Sequence, residues 1–258
     1  SQSNFVRQLG AACTMLGLEC AAAVMDLPYD APAGKPEAVD TFREGGNVVA
    51  DGLLGVDLRL YPDGDWESLF DSAEQIAQEY EAIGKRVYRV PIGGSSPLGA
   101  YSFYRAAEEL EGFGRFDFIV VACSSGSTYT GLAYAFHGSP TRLVGISCDP
   151  EPELIEELKR LESGLDALTG LGETIAPEYW DLRMDYVGPG YGVPSHEGNE
   201  AIRYLAQREG VFLDPIYSGK AFAGLIDLAK KRQVKNRVLF WHTGGAPTLF
   251  AYPYEVYR

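Results

Sequence analysis

Basic residues, histidine and cysteine are all scarce in this chain, and each scarcity removes a class of function. Lys and Arg total 22 against 36 Asp and Glu, a formal net charge of −14 over 258 residues, with neither sign gathered into a tail. Such a surface repels phosphate backbones and anionic headgroups, so neither nucleic acid nor membrane is expected as a partner. The three histidines, His137, His196 and His242, lack metal-ligand spacing such as H-E-x-x-H, and no metal is expected. Cys13, Cys20, Cys123 and Cys148 are scattered without the short paired spacings of a zinc site or a disulfide framework. A reducing cytoplasm fits that usage best. No apolar run approaches the roughly 20 residues of a membrane span. Even Ala11 to Met25 is interrupted by Thr14, Gly17 and Glu19. A G-x-S-x-G nucleophile elbow is missing too, which leaves a serine-hydrolase triad without an anchor. The chain opens on Ser1, inside what reads as a motif, so no targeting peptide is read and a truncated start is expected.

What is present is enough apolar material, 46% of residues, for one large or two modest domains. Short β-branched or aromatic runs alternate with amphipathic stretches, the pattern of repeated βαβ units and a mostly parallel sheet. The strands expected are Leu18 to Met25, Asp57 to Tyr61, Arg86 to Pro91, Asp117 to Cys123, Thr141 to Cys148, Asp185 to Val187 and Arg237 to Trp241. The clearest helix is Trp66 to Ile83, where Leu69, Ala73, Ile76, Ala77, Tyr80 and Ile83 recur on one face. The run Phe118 to Cys123, FIVVAC, is apolar enough to be buried on both faces and should be central. Gly- and Pro-rich punctuation falls at Asp26 to Pro36 and at Ile92 to Gly99, the second a plausible crossing between domains.

Directly after FIVVAC comes Ser124-Ser125-Gly126-Ser127-Thr128 and then an apolar helix. A small-residue turn at a helix N-terminus aims unpaired N–H groups and the positive end of the dipole at one point, which suits a phosphate ester. An ordinary strand-to-helix turn with a hydroxyl cap is the other reading. Gln2, Ser3 and Asn4 precede a helix, and in isolation Ser3 or Asn4 reads first as the cap of its opening turn. Further on, LDPIYSGKAFAGLI sets Tyr217 and Ser218 ahead of a helix, with Lys220 on its first turn, where a lysine is ordinarily solvated. In FWHTGGAP, Gly244 and Gly245 follow Thr243 and permit close approach of backbone to a ligand.

Taken in order, SQSNFVRQ (1–8), GGNVVADGLLGVDLRLYP (45–62), GGSSPLGA (93–100), CSSGSTYTGL (123–132), YVGPGYGVP (186–194), LDPIYSGKAFAGLIDL (213–228) and HTGGAPTLFAY (242–252) closely resemble the D-cysteine desulfhydrase and ACC deaminase family of pyridoxal-phosphate enzymes. Each block is weak alone; the ordered set is specific and covers essentially the whole chain. The resemblance implies an α/β, tryptophan-synthase-β-like fold (fold type II), with two three-layer domains around a cofactor cleft and the N-terminal part missing. By that match residues 1–92 form an incomplete small domain and 93–258 an incomplete large, cofactor-binding domain. It further implies a homodimer.

The same resemblance implies the site. Ser125, Gly126, Ser127 and Thr128 match the family's phosphate cup, Asn4 the asparagine at the cofactor's 3-hydroxyl, Ser218 the residue at the pyridine nitrogen, and Thr243 a further cofactor contact. Ser3 and Tyr217 match residues beside the substrate. ACC deaminases look to carry glutamate where this chain has Ser218, and His-Leu-Gly-Gly where it has His242-Thr243-Gly244-Gly245. A neutral hydroxyl leaves the ring a weaker electron sink, which suits α,β-elimination from an amino acid with a good leaving group at Cβ. The expected function is therefore desulfhydrase-like elimination giving a 2-oxo acid, ammonia and a sulfur leaving group. Alternatives are ACC-deaminase-type ring opening and a non-catalytic protein holding a phosphate-bearing ligand. Two departures stand out. Phe5 lies where desulfhydrases usually show histidine, and the family's G-N-K-like segment with the Schiff-base lysine has no counterpart in these residues.

Overall fold

The alternation of strand and helix signals resolves, in a computed structural model, into parallel α/β structure. Residues 1–26, 45–62, 65–149, 153–252 and 257 are described. They fall into two compact units, residues 1–93 with 245–258, and residues 94–244. The punctuation expected at Asp26 to Pro36 lies, from residue 27 on, outside the described residues.

In the first unit β1 (Ala21–Met25) pairs in parallel with β2 (Asp57–Tyr61), Ala21 opposite Asp57. Around them lie α1 (Asn4–Leu16), α2 (Gly46–Leu53) and α3 (Trp66–Ala82). The α3 helix starts where Asp65 accepts the Ser68 N–H at 2.8 Å, a side-chain cap that satisfies one first-turn donor. The tie between α1, α2 and the C-terminal segment is the fully buried Asn47. Its amide nitrogen contacts Asn4 Oδ1 at 2.7 Å, Thr248 Oγ1 at 3.0 Å and the Gln2 carbonyl at 3.1 Å. Its Oδ1 accepts from Arg7 Nε at 3.0 Å. These bonds are why residues 245–258 group with the start of the chain.

The second unit holds α4 (Pro97–Ala106), β3 (Phe118–Cys123), α5 (Ser127–Phe136), β4 (Arg142–Ser147), α6 (Leu154–Thr169), β5 (Asp181–Arg183), α7 (His196–Glu209), α8 (Ser218–Lys230) and β6 (Val238–Trp241). The sheet is wholly parallel, in the order β5-β4-β3-β6, so the FIVVAC strand is interior. Its period of two sorts the side chains: Ile119, Val121 and Cys123 pack with Tyr129, Leu132 and Leu158 on one face, while Val120 packs with Ala221 and Leu228 of α8 on the other. Both faces are covered, which gives the three layers and explains the unbroken apolar run.

Two expected strands are corrected. Residues 86–91 form no strand: Arg89 reaches Glu74 at 2.7 Å and Glu81 at 2.8 Å and lays this mostly exposed segment along α3. The strand expected at Asp185 to Val187 lies four residues earlier, at β5, because Tyr186 turns away to donate to Asp227 of α8 at 2.6 Å. Among the described residues no helix is long and apolar enough to cross a membrane.

Close packing makes two outcomes measurable. A Cβ on Gly131 would lie 2.2 Å from the Ala100 carbonyl and 2.9 Å from the Tyr104 nitrogen, forcing α4 and α5 apart. Gly131→Ala is expected to cost about 2–3 kcal/mol. Thermal unfolding should register this as a fall on the order of 5–10 °C. Asp51 is fully buried with neither carboxylate oxygen bonded, and burial, against the pull of Arg7, lifts its pKa to about 6. The folded state therefore holds this proton more tightly than the unfolded chain. The stabilisation is complete below the unfolded value, near 4, and is lost as pH rises through about 6. Denaturant titrations should show wild type losing about 2–3 kcal/mol across that window. Asp51→Asn should flatten the profile.

Candidate active site

Because every strand of the second unit's sheet runs the same way, the segments leaving β3, β4 and β6 emerge at one edge, where open α/β sheets collect ligands. Ser124–Thr128 follow β3, Cys148 follows β4, and Thr243 and Gly244 follow β6. Two hydrogen bonds bring α8 to this edge: Cys148 Sγ to the Tyr217 carbonyl at 3.6 Å, and Ser218 Oγ to the Gly244 carbonyl at 3.4 Å.

The turn after β3 leaves the start of α5 without a side-chain cap. Gly126 is the N-cap of α5 at φ +100°, a left-handed conformation, and it offers no side-chain cap; a Cβ there would lie 2.8 Å from Leu158. Helices α1, α3, α4 and α7 each receive a side-chain cap, from Ser3, Asp65, Ser96 and Ser195, whereas α2, α6 and α8, like α5, receive none from their N-cap residue. The first-turn N–H groups of α5 have no intrahelical acceptor by helix geometry. Ser127 is buried beside them, and Ser95 donates its hydroxyl to the Ser125 carbonyl, fixing the loop from behind. No basic side chain occurs in this turn, so in a chain of net charge −14 the attraction for an anion comes from oriented N–H dipoles.

The second cluster is organised by Asp214, which is wholly buried. Its Oδ1 accepts the N–H groups of Ile216 at 2.9 Å and Tyr217 at 2.7 Å. Its Oδ2 accepts the Ser218 N–H at 2.9 Å and the Ser218 hydroxyl at 2.6 Å. Burial pushes this carboxyl up, while the hydrogen bonds pull against it. Ser218 Oγ in turn accepts the Asp214 N–H at 2.8 Å, and its one hydrogen lies between the close Asp214 carboxylate and the more distant Gly244 carbonyl.

Tyr217, just before α8, hydrogen-bonds hydroxyl to hydroxyl with Tyr191 at 2.6 Å. Burial lifts both phenols, Tyr217 well above the ordinary tyrosine value, so the pair stays protonated at neutral pH. Tyr191 was missed as a site residue, although it stands inside the YVGPGYGVP block; the signal was an aromatic among glycines. Lys220 contradicts the expectation of a solvated lysine. It is fully buried, its Nζ donates to the Gly190 carbonyl at 2.7 Å, and burial pulls its pKa down. Thr243 sits in a turn held by His242, whose Nδ1 accepts the Gly244 N–H at 2.9 Å while Nε2 contacts the Phe212 carbonyl at 2.9 Å.

Ser3 and Asn4 belong to the first unit. Ser3 is the N-cap of α1, accepting the Val6 N–H at 3.2 Å, which leaves its hydroxyl hydrogen to donate. Asn4 Oδ1 accepts from Asn47 at 2.7 Å and from Thr248 Oγ1 at 2.9 Å, which orients the side chain and turns its NH₂ the other way. The hydroxyl and amide thus keep donors for a ligand while being fixed from behind.

Comparison with known proteins identifies the family. The family model described as pyridoxal-phosphate dependent enzyme matches residues 1–244. The D-cysteine desulfhydrase of Serratia proteamaculans (strain 568) is 37% identical over 270 residues, spanning 99% of this chain and 77% of that protein. The crystal structure of an ACC deaminase homologue superposes with a TM-score of 0.85 at 32% identity, over 99% of this chain and 74% of that one. A hydrogen sulfide-producing enzyme from Fusobacterium nucleatum, at 14% identity, shares the fold with a TM-score of 0.64 over 96% of this chain and 77% of its own.

The Asp214 turn yields a stability test. Asp214→Ala strands three N–H groups and a hydroxyl without their acceptor and is expected to cost at least about 3 kcal/mol in urea unfolding. Ser218→Ala, which removes the hydroxyl's bond to Asp214 and leaves the buried Asp214 N–H without its acceptor, should cost about 2 kcal/mol.

Proposed function

The chain belongs to the pyridoxal-phosphate-dependent enzyme family, and on that premise we propose that it carries the site of a D-cysteine desulfhydrase-type lyase, converting D-cysteine and water to pyruvate, ammonia and hydrogen sulfide. The residues fit the cofactor. The uncapped N-terminus of α5 with its compulsory glycine suits the phosphate ester, and the NH₂ of Asn4 suits the 3-oxygen. When bound, pyridoxal phosphate supplies the electron sink for cleavage at the amino acid's Cα and Cβ.

The chain's own residues supply placement and protons. Ser125, Gly126, Ser127 and Thr128 hold the phosphate through N–H and hydroxyl donors, and Thr243 lies in the turn beside Gly244. Ser218 carries the reading towards elimination, the single observation on which it rests: a neutral hydroxyl and not a carboxylate stands at the position that would meet the ring nitrogen. A weaker sink favours substrates that expel a stable thiolate. Ser3 donates to the substrate carboxylate. The Tyr217 and Tyr191 pair, both protonated, delivers a proton to the departing sulfur. Lys220 is not assigned the role of the Schiff-base amine, since its Nζ is bonded to the Gly190 carbonyl.

ACC ring opening is the rival within the same family, favoured by the likeness to the ACC deaminase homologue. The test is turnover by the complete gene product loaded with pyridoxal phosphate: pyruvate and sulfide from D-cysteine, against 2-oxobutanoate from ACC. Elimination predicts the first at least about tenfold faster in kcat/KM. Faster ACC turnover would overturn the assignment, and cofactor uptake without either product would leave a binding protein. Tyr217→Phe should lower kcat by roughly 10²-fold while cofactor absorbance persists. Gly126→Val should abolish cofactor uptake, read by equilibrium dialysis.

A further inference from the structure

Lys220 takes no part in the chemistry proposed above, yet it is the one fully buried basic side chain among the described residues. An ammonium group out of water costs several kcal/mol unless its surroundings compensate, so its retention needs a reason. Its stem lies along α7, where a Cβ on Gly198 would meet Lys220 Cγ at 3.6 Å. Its Nζ donates at 2.7 Å to the Gly190 carbonyl.

That acceptor belongs to the stretch Gly188-Pro189-Gly190-Tyr191-Gly192, whose glycines stand at φ +71°, +153° and +76°. Three flexible positions in five make this a segment whose conformation is chosen by what grips it. The Gly190 carbonyl and the Tyr191 N–H share one rigid peptide plane. Whatever holds that carbonyl sets the direction from which the Tyr191 side chain departs. The partner of Tyr191, Tyr217, immediately precedes α8, and Lys220 is the third residue of that same helix.

We propose that Lys220 is a positioning residue: from the first turn of α8 it clamps the 190–191 peptide plane and thereby keeps the Tyr191 hydroxyl on that of Tyr217. The bond between the hydroxyls and the bond at Lys220 close one ring of contacts, loop to helix at both ends. The catalytic consequence rests on the tyrosine pair acting on substrate; the clamp itself is a property of the folded chain.

Fluorine NMR of protein labelled with 3-fluorotyrosine tests the clamp without cofactor or turnover. The chain has 16 tyrosines, so the 191 and 217 resonances are assigned with Tyr191→Phe and Tyr217→Phe. In wild type, Tyr217→Phe should shift the Tyr191 resonance. In Lys220→Met that response should vanish, with the Tyr191 line moved or broadened, and Lys220→Arg, which keeps a charged donor, should restore part of it. An unchanged response in folded Lys220→Met would overturn the proposal and leave Lys220 as a counter-charge to Asp214. If Lys220→Met does not fold, Lys220→Gln, too short to reach the carbonyl, is read in the same way; collapse of both would make Lys220 a core strut and also overturn it. In the complete gene product Lys220→Met should lower kcat roughly ten- to hundredfold with KM nearly unchanged. Wild-type protein without turnover would defeat the proposed reaction while leaving the NMR result standing.

Discussion

A carboxyl group withdrawn from water either holds its proton, as burial favours at Asp51, or is answered by donors, and in the second unit the second solution shapes the candidate site. Asp214 collects three consecutive N–H groups and one hydroxyl from residues 216 to 218. No other local conformation brings those donors to one point, so the turn has no freedom left. Tyr217, Ser218 and the first turn of α8 inherit their directions from it. The arrangement also fixes Ser218, whose hydroxyl is bonded to a buried acid and accepts that residue's N–H.

The first unit solves a similar problem with neutral groups. Asn47 has both donor and acceptor on one side chain, and it ties Gln2, Asn4, Arg7 and Thr248 without importing a net charge. Its effect on Asn4 is to occupy the amide oxygen and leave the nitrogen. The phosphate turn follows a third logic. Four helices are capped by their own side chains, while α5 is one of four that are not, and its cap position is a glycine in the left-handed conformation. Donors left open at a helix start are costly unless water or an anion meets them, and the acidic surface elsewhere makes this turn electrically distinct.

Much of this was legible in residues alone. The interior strand showed in FIVVAC, because burial on both faces forbids polar alternation, and α3 showed in its apolar spacing. The phosphate turn showed as small residues between a buried strand and an apolar helix. Extended runs without partners were harder. Residues 86–91 have strand composition, yet Arg89 finds Glu74 and Glu81 on α3, a choice that depends on where that helix lies. Lys220 was misjudged for a related reason: helix position suggests solvent, and only the packing of α7 and the 188–192 loop buries it.

By itself the sequence determined the α/β alternation, the identity of the central strand, the small-residue turn that follows it and the family, because periodicity and short motifs are local properties that neighbouring residues carry together. Tertiary structure alone decided that Asp214 spends the Ser218 hydroxyl, that Tyr191 meets Tyr217, and that Lys220 reaches Gly190. Those partners are separated by 4, 26 and 30 residues. Even the shortest of these contacts depends on a turn whose donors converge only when the surrounding core excludes water, and no local pattern encodes that exclusion.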